Sequence, residues 1–475
     1  MQNFLIEGGT VVTMDGERRV IDRGAVHVQN GRIAAVGESG MRADGAERIN
    51  ATGMLVLPGL IDAHAHAGHA LVKTLASDDG QGWFDACRHL YTRGSDAEFW
   101  RADAALFALE RIRAGVTTGV SMLGGGDSIS RTDDPRHADA HCGAIGEAGT
   151  RAVVAVGCNR PPFPWLYKDW DGSGTDEEIS FERQLEVSRE IARKWNGAAE
   201  GRLSVALTYP VSHEGAALPD GVTPGLVTDH ARQVRALSRD LGLRFTQDGH
   251  REGSIAYAHR EQGILGPDAY LSHCTNLTEA DIAALRESGA SVVHNPSAIA
   301  SVRGRCPAPE LIDLGVTVAL GSDAPAPDRS GDMFRHMQQA MHYHRRHFRD
   351  DQILPPGKAL EMITIDAAKA IGMEAEIGSL EPGKKADIVL LDLRKPHLVP
   401  ANMPLHRAIY FANAADIDTT IVDGRILMRG RKVLSLDEDA VLDAADAAIA
   451  KALERTGLQH LLEARPGFWG QSRYS

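Results

Sequence analysis

Cysteine is scarce and scattered. The chain has five, Cys87, Cys142, Cys158, Cys274 and Cys306, and none forms a CxxC pair. An odd, dispersed set argues against a disulfide framework or a thiolate zinc knuckle, and it fits a reducing cytoplasm. Apolar runs are short: nowhere does one approach the roughly 18 residues that a membrane-crossing helix needs. The start, Met1-Gln2-Asn3-Phe4, lacks a basic segment leading into an apolar one, so no secretion signal is expected. Positive charge is in deficit, with a formal net charge of −13, which argues against a nucleic-acid partner. Aromatic residues are few, and there is no acidic tail and no low-complexity segment. What remains is an ordinary soluble composition, for which a small-molecule partner is expected and a nucleic-acid or membrane partner is not.

The apolar pattern changes along the chain. Residues 1–56 read as short strands and tight turns, with Asn30-Gly31 as a hairpin signal. Residues 376–433 return to strands, and Asp423-Gly424 marks a second hairpin. Together, 1–56 and 373–433 are expected to form one small β-sandwich-like domain. Between them, over 57–372, short apolar runs alternate with stretches of helical period. Eight candidate strands stand out: Leu55–Asp62, Thr117–Met122, Ala152–Gly157, Leu203–Thr208, Leu243–Thr246, Ala269–His273, Ser291–His294 and Thr317–Gly321. Eight alternations predict an α/β fold, a (β/α)8 TIM barrel. An open doubly wound sheet is the alternative, weakened because no glycine-rich dinucleotide fingerprint follows the first strand. Residues 434–475 read as a C-terminal helical tail.

Chemistry in such barrels gathers at the C-terminal ends of the strands. The first strand ends in His64-Ala65-His66, and on extended chain residues two apart face the same side. The fifth ends in Gln247-Asp248-Gly249-His250, the sixth in His273, the seventh in His294 and the eighth in Asp323. Several imidazoles and one carboxylate on one face suit zinc or another divalent transition metal.

The stretches PGLIDAHAH, SHCTNLTEADI, VHNPS, LGSDAP and GSLEPGKKADIVLLD resemble the amidohydrolase superfamily. The likeness is strongest to its branch of cytosine, guanine and adenosyl-homocysteine deaminases and triazine hydrolases, and it runs from residue 2 to about 430. The resemblance implies one metal ion per subunit, zinc first with cobalt, manganese or iron as others. It implies metal ligands at His64, His66, Asp323 and the end of the fifth strand, with His273 beside the metal or ligating it. It also implies a homo-oligomer. No lysine ends the fourth strand, which reads Thr208-Tyr209-Pro210, so a bridged two-metal centre is not expected.

One position departs from the family. The usual His-x-x-Glu after the fifth strand aligns with Gln247 to His250, which puts Gln247 where the metal histidine belongs and His250 where the glutamate belongs. Three readings stand open: Gln247 as an oxygen ligand, His250 as a nitrogen ligand, or His64, His66, His273 and Asp323 alone. Without the glutamate, protonation of a ring nitrogen loses its usual donor. That shifts the expected reaction to hydrolysis of a C–N or C–S bond in an amide, urea, carbamate or thiocarbamate, similar to thiocarbamate (molinate) or phenylurea hydrolases that degrade xenobiotics. Deamination or dechlorination of a nucleobase-like or triazine ring is the alternative. Asp323, His273 and His250 are the expected catalytic residues. His294, Trp165, Trp83 and Phe84 are the expected substrate contacts. The histidine-rich stretch from His336 to His347 reads as a surface or interface helix.

Overall fold

The computed structural model of the 475-residue chain describes residues 3–77, 79–123, 130–325, 329–464 and 468–470. Eight parallel strands follow one another in sequence order around a barrel. They are Leu60–Asp62, Val116–Met122, Arg151–Gly157, Leu203–Thr208, Arg244–Gln247, Ala269–Ser272, Ser291–His294 and Val318–Leu320. The eighth meets the first where the Ala63 amide donates to the Leu320 carbonyl at 3.2 Å. The strands are apolar nearly throughout because both faces are covered. Inside, Ile61, Val120, Val153, Ala206, Tyr270, Val293 and Ala319 form one cluster drawn from seven strands, the barrel lumen. Ala367, Ala368 and Ala370, on the helix Ile365–Ala370, join that cluster. Val154, Leu207, Phe245, Leu271, Val292 and Leu320 face outward into the larger core beneath the helices.

The helices begin where side chains can satisfy the free amides of their first turns. Asp96, Ser180 and Thr223 cap the helices Ala97–Arg113, Phe181–Trp195 and Pro224–Asp240, and Thr278 with Asp281 forms a full capping box for Glu279–Ser288.

The termini share a second, nine-stranded sheet. Its central strand, Met54–Pro58, pairs parallel with Asn3–Val12 on one side and antiparallel with Ile388–Asp392 on the other. This corrects the expected first barrel strand: Leu55 to Asp62 is two strands in two sheets, and the chain changes sheet at Gly59. A Cβ on Gly59 would lie 2.1 Å from the Thr117 hydroxyl, so only glycine passes there. The helical tail is Glu438–Thr456, held to the barrel by Lys451 and Arg455, each 2.8 Å from Asp96. The histidine-rich helix Met333–Phe348 lies at the surface as expected, with Arg335, His342, Arg346 and His347 exposed, and buries His336 and His344 on its inner face.

Candidate metal centre

The first strand delivers His64 and His66 as it leaves the barrel. Asp62, just before them, accepts from Arg111 of the helix Ala97–Arg113 (2.9 Å) and from the Ser322 amide (2.9 Å) and hydroxyl (2.8 Å). The buried ion pair ties the first strand to that helix, and the two bonds from Ser322 tie it to the residue preceding Asp323. The Asp323 amide in turn donates to the His64 carbonyl at 2.9 Å. Gly321 is required where the two strand ends meet, since a Cβ there would sit 2.4 Å from Asn295 Oδ1 and 2.7 Å from His64 Cβ.

His273 and Asp323 both hold left-handed backbone, with φ of 65° and 52°. Non-glycine residues adopt this region at a cost, and it is concentrated at functional sites.

Five side chains converge. His64 Nε2 lies 3.2 Å from Asp248 Oδ1 and 3.4 Å from Asp323 Oδ1. His66 Nε2 lies 3.1 Å from Asp323 Oδ1 and 3.6 Å from Asp248 Oδ2. His273 Nε2 lies 3.1 Å from Asp248 Oδ1 and 3.9 Å from Asp323 Oδ1. Two overlapping sets, His64 with Asp248 and His273, and His64 with His66 and Asp323, each have the geometry to grip one ion. Ligands about 2.1 Å from a shared ion stand roughly 3 to 3.5 Å from one another, which matches most of these separations. All five side chains are buried, and His64 Nδ1 has no hydrogen-bond partner among the described residues. Burial opposes charge on these groups, yet His64 is lifted to about 10 by Asp248 and Asp323. Both carboxyls are held well below the usual range despite burial, Asp248 chiefly by His64 and Asp323 chiefly by Arg329 and His273. A pair of buried carboxylates facing three imidazoles is an environment that calls for a cation, and the residues fit a divalent metal.

The fifth strand turns its last side chains in different directions. Register pairs Leu207 with Phe245 and Gln247 with Leu271, all on the outer row, so the next residue inward is Asp248. Gln247 therefore points into the helix layer, where its amide donates to the Tyr209 carbonyl at 3.0 Å. The structure does not bring Gln247 into the cluster; the side chain it brings there from the end of the fifth strand is that of Asp248. His250 stands at the cavity wall with Nδ1 2.9 Å from the Ser254 hydroxyl, outside the ligand set, and burial pushes it down to about 3.

The cluster forms one end of a cavity of about 780 Å³. Trp83 and Phe84 line it, as do His69, His250, Arg251 and Arg329. Trp165 stands one layer back: its indole donates to the Arg160 carbonyl at 2.8 Å, and Arg88 lies over its ring at 4.8 Å. His294 is corrected outright. It pairs in register with Leu320 on the outer row, and its Nε2 is 3.2 Å from His344 Nε2, so it packs under the helix and does not reach the cavity. Asp248, His69 and Arg329, none of them among the expected site residues, also line the cavity. For Asp248 the usable signal was the alternation running on from Thr246.

The chain matches the amidohydrolase family over residues 55–213 and 242–427. It is 31% identical over 464 residues to a 5'-deoxyadenosine deaminase of Methanosarcina mazei, covering 96% of this chain and 99% of that one. It is also 31% identical over 458 residues to a 5-methylthioadenosine/S-adenosylhomocysteine deaminase of Moorella thermoacetica, covering 93% and 97%. Its fold superposes on a zinc-bound adenosine deaminase of Xanthomonas campestris with a TM-score of 0.80 at 22% identity, over 95% of this chain and 99% of that one. It superposes on a zinc complex of atrazine chlorohydrolase from Arthrobacter aurescens with 0.78 at 20%, over 94% and 100%. With its barrel, its appended sheet and its candidate metal centre, the chain belongs to the amidohydrolase family and is an enzyme of it.

Proposed function

We propose that the enzyme hydrolytically removes an exocyclic amino group from an aromatic nitrogen heterocycle of nucleoside size, using one divalent transition metal ion. What supports this most is that relatives matching nearly the whole chain are nucleoside deaminases. The cavity, about 780 Å³ with Trp83 and Phe84 in its wall, has room for such a molecule. His64, His66, Asp248, His273 and Asp323 would hold the metal, with zinc the first candidate and cobalt, manganese and iron the others. When bound, the metal supplies a water acidified to a pKa near 7.

Asp323 would take a proton from the attacking water as the water oxygen bonds to the carbon bearing the amino group. The same carboxyl returns the proton to the departing nitrogen, so a C–O bond forms, a C–N bond breaks and ammonia leaves. His273 steadies charge developing at the reacting carbon. His250, anchored on Ser254, lies within the same wall as a neutral imidazole that can hydrogen-bond the substrate. The cytoplasmic location proposed for the enzyme rests on its cysteine usage, and its homo-oligomeric assembly on the family resemblance.

A second reading is supported by one observation. With Asp248 in the strand-end position, the third residue after it is Arg251, where the family carries its glutamate. An open-chain carbonyl needs no ring protonation, so C–N or C–S hydrolysis of an amide, urea, carbamate or thiocarbamate stays in play.

Metal-loaded protein decides between them. Ammonia release from 5'-deoxyadenosine, 5-methylthioadenosine or adenosine supports deamination; amine or thiol release from phenylureas or thiocarbamates, without ammonia, supports the second reading. In either case Asp323→Asn is expected to lower turnover by at least about a thousandfold with the fold intact. Near-normal turnover by a metal-loaded Asp323→Asn protein would sink the mechanism.

A further inference from the structure

We propose that His69 touches the substrate, presenting a fixed Nε2–H donor to a nitrogen or oxygen acceptor of a planar heteroaromatic ring. The substrate class rests on the deamination reading above; the donor rests on the residues around His69.

His69 follows His66 by three residues and is 1% exposed, yet its ring lines the cavity. It stacks on His66 with centroids 4.6 Å apart and planes at 22°, so it stands directly beside the metal cluster. Trp83 packs edge-on against it at 4.9 Å, and Phe84 lies 5.1 Å beyond Trp83. The wall is thus aromatic, with one polar ring set into it.

The tautomer follows from the partners. His69 Nδ1 is 2.9 Å from the Tyr91 hydroxyl, which leaves Nε2 for the cavity. Tyr91 also meets the Cys87 thiol. An imidazole nitrogen accepts far better than sulfur, so of these two neighbours Nδ1 is the one that takes the phenol's single proton. Nδ1 is then the acceptor, and the ring proton sits on Nε2. Burial holds the Tyr91 hydroxyl well above its ordinary pKa, so it keeps the proton it donates.

The ring is also held in place from behind. Asp103 accepts from the Gly68 amide at 2.7 Å and the Ala70 amide at 2.8 Å, gripping both neighbours of His69. Gly68 has a φ of 87°, and a Cβ there would come within 2.9 Å of the Tyr91 hydroxyl. A histidine serving only to fill space needs no such fixing of one nitrogen while the other faces a cavity. It is the pattern of a donor organised before the substrate arrives.

Two measurements test this. In 15N-histidine-labelled protein, with His69→Leu used for assignment, His69 is expected as the Nε2–H tautomer, and Tyr91→Phe is expected to shift that equilibrium. In calorimetry on metal-loaded protein with purine as the probe, His69→Leu is expected to weaken binding about 10- to 100-fold, and His69→Gln, whose amide reaches the same point, to recover most of it. On any nucleoside that the enzyme deaminates, kcat/KM should follow the same order. If His69→Leu does not fold, His69→Gln and the tautomer of the unaltered protein still decide. An Nδ1–H tautomer, or equal purine binding by the unaltered protein and the variants, overturns the proposal. Failure to release ammonia from any nucleoside, with the tautomer and purine binding as expected, overturns deamination and leaves the donor standing.

Discussion

Asp248 brings a second carboxylate to the three imidazoles of His64, His66 and His273. Oxygen donors are harder than imidazole, so this set is more hospitable to manganese or iron than an all-histidine one, while still suited to zinc. The side chain of Gln247 beside it leaves the strand in the opposite direction. The contrast is measurable by competition with a chelator. Asp248→Asn is expected to weaken metal retention at least about tenfold, and more if the carboxylate binds directly. Gln247→Ala is expected to leave retention unchanged. The reverse ranking would place the fifth-strand ligand on Gln247.

Among the elements, the helix Ala97–Arg113 does more than cover the barrel. Its Arg111 reaches inward to Asp62 (2.9 Å) and to the Val120 carbonyl (2.9 Å), joining the first two strands. Gly119 makes room for it, since a Cβ there would lie 2.2 Å from the guanidinium carbon. Removing one partner of a buried ion pair strands the other charge, so Arg111→Leu is expected to lower the unfolding free energy by about 3–5 kcal/mol, read by chemical denaturation. The segment entering the helix Pro135–Ala148 makes a second such joint. Arg131 is 2.9 Å from Asp133, and His137 also contacts both. Burial works against the Asp133 carboxylate, but Arg131 and His137 outweigh it and hold its pKa at about 2. A depressed carboxyl pKa contributes stability above the unfolded value near 4, and that contribution is lost as pH falls towards 2. The stability gap between the unaltered protein and Asp133→Asn should therefore shrink by about 2 kcal/mol between pH 4 and pH 2. A gap constant over that window would show that the pair does not set the pKa.

At the scale of the whole molecule, the barrel and the terminal sheet are one structure. Met54–Pro58 has its partners at opposite ends of the chain, Asn3–Val12 and Ile388–Asp392. Arg151, on the third barrel strand, is bonded to Asp387 at 3.0 Å and 3.1 Å. A chain ending at Glu381 would leave the Met54–Pro58 strand half-paired and Arg151 buried without its carboxylate. Such a chain is expected to aggregate or to lose a single cooperative unfolding transition, as followed by circular dichroism. A soluble fragment with an unchanged transition would mean that the barrel stands alone.

The chain by itself determined the eightfold alternation, because strands buried on both sides must be apolar and their connecting helices must be amphipathic. It also determined the pairing of His64 with His66, a geometry set within three residues, and the arrival of His273 and Asp323 at the same end. Tertiary structure decided the rest. Gly59 as a change of sheet is invisible in an unbroken apolar run, since both sides of it are equally buried. The choice of Asp248 over Gln247, and the outward turn of His294, depend on the phase of each short strand, which only its neighbours' register fixes. His69 gains its meaning from Tyr91, Asp103 and the cavity wall, contacts that exist only once the loop after the first strand has folded back over the barrel mouth.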